Sequence, residues 1–136
     1  MTRPILLTYQ LLIGISDTLT GALLIVAPAV TLHVMHLQAP SDALPYLSFV
    51  GAFVFSVGLA CLYGAMLLAF KGNRRSLETV WLLTAFTRAS VAIFVSAQIM
   101  AHSLEAGWMT VALSDGACVV IQAIGLRKCW LADVTK

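Results

Sequence analysis

Residues 46–70 read YLSFVGAFVFSVGLACLYGAMLLAF, with no Asp, Glu, Lys or Arg. A bilayer core about 30 Å thick is crossed by roughly 20 apolar residues in helical form. This stretch, Tyr46–Phe70, reaches that length, and so do Ile5–Pro28, Leu77–Ala101 and Trp108–Leu131. Together the four take up most of the 136 residues and leave no room for a soluble domain. The pattern predicts an all-α polytopic membrane protein, a single membrane domain built as an antiparallel up-down bundle of four transmembrane helices.

Composition points the same way. Hydrophobic residues make up 60% of the chain and charged residues 10%. Soluble domains average about 25% charged residues. The net charge is only +2, and the basic residues form no long block, so nucleic-acid binding finds no support. The first apolar stretch has a thin charged start, Arg3 alone, and outruns the roughly 7–15 residues of a signal-peptide core. Thr31-Leu32-His33 follows without a small-x-small cleavage pattern, and the stretch reads as a retained helix.

Basic residues accumulate on the cytoplasmic side of membrane proteins. With a cytoplasmic N-terminus, one side holds Arg3, Lys71, Arg74, Arg75, Arg127, Lys128 and Lys136. The other side holds no Lys or Arg, only Asp42 and Glu105 in its loops. Both termini are therefore expected in the cytoplasm. Tyr46 and Trp108 at outer ends, and Tyr9, Trp81 and Trp130 near inner ends, read as interfacial aromatics. Pro40, Ser41, Asp42 and Pro45 break the chain after the first span. Gly72 and Asn73 close the second span, and Ser76 is the expected N-cap of the third.

A helix turns about 100° per residue, so polar side chains can be sorted by face. One stripe carries Gln10, Gly14, Asp17 and Gly21; the second span has Gly51, Gly58 and Cys61. The third has Thr84, Arg88, Gln98 and His102, with Thr87 at its edge. The fourth has Trp108, Asp115, Cys118, Gln122 and Cys129. Polar atoms are costly in hydrocarbon and should face the interior, where an unpaired charge costs at least about 2.5–3.5 kcal/mol. The expected remedy is a buried Asp17–Arg88–Asp115 cluster. Gln10, Thr84, Thr87, Gln98 and Gln122 are expected to line the interior around it. The cluster reads either as a proton-handling or ligand-anchoring site or as an ion network that fixes helix register.

Three smaller signals remain. His33 with His36, and His102 with Glu105, have i, i+3 spacing on the outer side, a pattern that suits zinc or another divalent metal. Ala52, Ser56, Ala60 and Gly64 recur every four residues and suit a close helix contact, internal or between subunits. Cys61, Cys118 and Cys129 form no C-x-x-C pair and read as buried small hydrophobes at differing depths. No phosphate-binding loop, G-x-S-x-G elbow or H-E-x-x-H helix is present.

Gly14, Asp17 and Gly21, then Gly51 to Gly58, Thr87-Arg88, and Asp115 through Gly125-Leu126-Arg127 make up a layout of four closely spaced helices. In this layout the chain resembles the DoxX-like group of small bacterial membrane proteins. The resemblance implies a four-helix bundle in the bacterial cytoplasmic membrane, in some members associated with membrane redox complexes or quinol oxidation. It implies quinone as a cofactor class and transfers no catalytic residue. The leading expectation is a non-enzymatic subunit or accessory protein, working as a homo-oligomer or within a larger membrane complex. The alternatives are a small transporter or ligand-binding membrane protein, and a quinone-associated redox component.

Overall fold

A computed structural model describes residues 2–70 and 72–134. It is helical throughout, with no strand among the described residues. The helices are α1 (Arg3–Val26), α2 (Pro28–Val34), α3 (Leu44–Ala69), α4 (Arg74–Met100), α5 (Met109–Arg127) and α6 (Trp130–Val134). Single 3-10 turns at Ser41–Ala43 and Ala106–Trp108 lead into α3 and α5. Four helical segments, Arg3–Val26, Ser41–Ala69, Arg74–Met100 and Ala106–Arg127, are long and apolar enough to cross a membrane. Lys71 and Lys136, two of the residues behind the expected orientation, lie outside the described residues.

The helix ends follow local chemistry. Proline occupies the first turn of α1, α2 and α3, where its missing N–H has no intrahelical partner to lose. Pro28 does not end the first helical region as expected. It breaks the run at Ala27, because the residue before a proline avoids the helical conformation, and then starts α2 itself. α4 begins at Arg74, ahead of the expected start at Leu77. Its N-cap is Asn73, whose side chain accepts a hydrogen bond from the Arg75 N–H at 2.9 Å, not Ser76. The last expected span, Trp108–Leu131, is interrupted at Cys129, which has a left-handed backbone (φ 52°) and leads into α6.

Packing sorts the helices into two pairs, α1 with α3 and α4 with α5, joined by the contact of α3 with α4. The first pair meets backbone to backbone. A Cβ at Gly51 would lie 2.7 Å from Leu24 Cβ, and one at Gly14 would lie 2.8 Å from Leu62 Cδ2. Gly21 abuts the backbone of Phe55, and Gly58 abuts that of Thr18. The closest approach therefore runs along Gly51 and Gly58. The small-residue ladder behaves otherwise: Ala52 and Ser56 are exposed, Ala60 is half-buried, and only Gly64 is buried, against Gln10. At one end Arg3 donates to the carbonyls of Leu68 (2.9 Å) and Ala69 (2.8 Å), capping α3.

That end is sealed by Leu6, Leu68, Leu77, Trp81 and Leu131, all buried. Trp81 is 0% exposed and packs on Tyr9, with ring centroids 5.9 Å apart. The indole, read from sequence as an interfacial aromatic, faces inward and fills the core, and Gly125 clears room for it. Outside, large apolar side chains such as Phe53, Phe86, Phe94 and Leu113 stand exposed.

Candidate functional site

Arg88 sits mid-way along α4 and is 6% exposed. One terminal guanidinium nitrogen donates to Asp17 Oδ2 of α1, and the other donates to Asp115 Oδ1 of α5. The structure thus brings the three charged residues together, each from a different helix. The Asp17 and Asp115 side chains remain 20% and 14% exposed, more open than the 7% of Arg88. The guanidinium is planar with a fixed fork of donors, which suits two carboxylates approaching from different sides. Formally the cluster carries one negative charge in excess.

Beside the cluster lies a layer of polar side chains. Gln10 donates to the Cys61 carbonyl at 3.2 Å, linking α1 to α3. Gln122 donates to Thr84 Oγ1 at 2.8 Å, linking α5 to α4, while Thr84 itself donates to the Val80 carbonyl. The thiols of Cys61 and Cys118 both lie beside Arg88, and Cys118 also neighbours the Tyr9 hydroxyl. The two cysteines therefore share one region, against the expectation of differing depths. All three cysteines are free thiols, and Cys129 is exposed, not buried.

Among the described residues, five buried polar atoms have no hydrogen-bond partner: Tyr9 OH, Gln10 Oε1, Trp81 Nε1, Arg88 Nε and Gln122 Oε1. Gln10, Trp81, Gln122 and Arg88 are each more than nine-tenths buried. Two amide oxygens accept, the indole and the guanidinium N–H donate, and the phenol can do either. An unpartnered buried polar atom costs about 1–3 kcal/mol.

Other expected site residues fall elsewhere. Thr87 is exposed, and its hydroxyl donates back to the Leu83 carbonyl at 3.0 Å. Thr87 directly precedes Arg88, and a single step on the helix, at about 100° per residue, is enough to turn it out of the interior. Gln98 is half-buried and lies about 15 Å along α4 from Arg88. His33, His36, His102 and Glu105 are all exposed, and no group of three or more metal-ligating side chains comes together among the described residues. The expected helical pairing of these four fails for a backbone reason. His36 (φ 54°) and His102 (φ 56°) occupy left-handed positions just past α2 and α4. There the following N–H groups turn back to Leu32 O (2.9 Å) and Gln98 O (2.9 Å), closing each helix where glycine is usual.

Tyr9 and Trp81 are the interior residues that sequence reasoning missed. Tyr9 precedes Gln10 directly, and Trp81 lies three residues before Thr84, so each sits next to a polar residue of an interior stripe. Compared with family models, with curated proteins and with solved structures, the chain has no significant match.

Proposed function

We propose that the chain is an integral membrane protein of four antiparallel spans with both termini in the cytoplasm. Its role is that of a non-enzymatic subunit or accessory protein of a membrane complex. The observation that carries this reading is the commitment of Arg88: both terminal nitrogens are engaged, one with a carboxylate of each helix pair. In this role the cluster is a clasp that holds the α1–α3 pair to the α4–α5 pair. The antiparallel reading draws support from Arg3, at the start of α1, reaching the last residues of α3. The membrane reading draws support from the four long apolar segments and the apolar side chains on the outer surface. The bacterial cytoplasmic membrane as its location, and DoxX-like kinship, rest on the resemblance in layout.

Native mass spectrometry of the gently solubilised protein, with an absorbance spectrum and quinone extraction of the same sample, tests this reading. A higher-mass assembly, as homo-oligomer or with a larger partner, is the expected result. A bare, active monomer overturns it. A second reading, a ligand-binding or transport protein, is favoured by the buried polar atoms without hydrogen-bond partners among the described residues, Arg88 Nε included. In that case Arg88→Leu abolishes binding or flux in a protein that still assembles, and unchanged flux removes the idea.

A further inference from the structure

A groove of about 510 Å³ lies between α4 and α5, lined by Arg75, Glu78, Thr79, Leu82 and Leu126. We propose that this groove holds one anionic phospholipid, its phosphate on Arg75 and an acyl chain along Leu82 and Leu126. The inference rests on the membrane reading above.

The lining changes character along its length. From Arg75 to Leu82 is seven residues, about 10 Å of helix. Over that distance the wall passes from a cation, through Glu78 and Thr79, to an aliphatic side chain. Glu78 would repel an anion, but its charge is answered by Arg74 at 2.7 Å. No described carboxylate pairs with Arg75, nor with the exposed Arg127 and Lys128 that follow Leu126. With Glu78 answered by Arg74, Arg75 is the cation that the groove's own lining presents. The Thr79 hydroxyl already donates to the Arg75 carbonyl at 2.9 Å, so headgroup selection falls to charge, not to added hydroxyl donors. A free phosphate would make no use of the Leu82–Leu126 half, and a zwitterionic headgroup would set its cationic group against Arg75. A phosphodiester headed by a neutral group, with an acyl chain behind it, fits both halves. Basic pockets between helices on the cytoplasmic side are a common home for such headgroups.

The test reconstitutes the full chain in vesicles of equal parts phosphatidylglycerol and phosphatidylcholine. Vesicle flotation first reports whether the chain is in the bilayer. Native mass spectrometry then counts retained lipids after mild extraction. Retention of one phosphatidylglycerol in preference to phosphatidylcholine is expected. Arg75→Gln should weaken that preference about fivefold, the change that corresponds to about 1 kcal/mol per basic residue near an anionic surface. Arg3→Gln removes the same charge from a residue engaged with the end of α3, and should leave the preference intact. Equal retention of the two lipids, or no effect of Arg75→Gln, overturns the proposal. Displacement of the lipid by inorganic phosphate also overturns it, in favour of a free-anion site. A chain that does not float with the vesicles fails the membrane reading itself, and this proposal with it.

Discussion

Arg88 is the residue whose loss strands two carboxylates at once. Breaking a buried ion pair by removing one partner costs about 3–5 kcal/mol, because the remaining charge stays buried. Arg88→Met leaves two such carboxylates and should lower the unfolding free energy by at least that much. Asp17→Asn, Arg88→Met and Asp115→Asn combined should recover most of the loss, since the charges leave together. Chemical denaturation in mixed micelles measures both, and an Arg88→Met protein as stable as wild type would deny the cluster its role as a clasp. His102 makes the opposite prediction. A left-handed backbone costs a non-glycine residue roughly 1–2 kcal/mol, so His102→Gly should stabilise the fold by about 1 kcal/mol in thermal unfolding. Loss of stability on that change, matched by the effect of a chelator, would instead mark a metal ligand. The charged trio was legible in the sequence because each member is an isolated charge in an apolar run, where the cost of solitude dictates pairing. Tyr9 and Trp81 were not, because an amphipathic ring near a helix end suits an interface and a core equally well.

At the scale of elements, the α1–α3 contact depends on glycine at the points where backbones touch. Gly21 abuts Phe55 main chain and the Gly51 carbonyl, so Gly21→Val has no flexible neighbour to displace and must part the helices. Overpacking of this kind costs about 1–3 kcal/mol. Gly116, with open space where a Cβ would go, should accept Ala without loss. A denaturation series comparing the two checks the contact; equal effects would mean that the pair does not pack this closely. The long helices themselves were legible from length and apolar content, to within a few residues at most ends. Their ends depend on cap and turn chemistry that hydropathy does not register. Asn73 outcompeted Ser76 because its side chain reaches the Arg75 N–H, and Pro28 both ended one helix and began another. The i, i+4 ladder is not the internal contact, because Gly51 and Gly58, seven apart, let the α1 and α3 backbones touch while Ala52 and Ser56 stay exposed.

For the whole molecule, the proposed topology predicts which side each loop labels from. On a Cys129→Ser background, Asp42→Cys and Glu105→Cys should react with an impermeant thiol reagent in intact cells. Lys128→Cys should react only after permeabilisation, and the reverse pattern would invert the protein. The clasp also has a consequence in time. Asp17 and its Arg88 donor are 71 residues apart in sequence, whereas Arg88 and Asp115 are separated by 27. At roughly 5–20 residues per second of synthesis, Asp17 waits about 4–14 s on the ribosome for its counter-charge. During that interval the newborn first span carries a carboxylate that nothing nearby can quiet. A nascent chain stopped before Arg88 keeps that carboxylate without its counter-charge, and one carried past it can fold the carboxylate away.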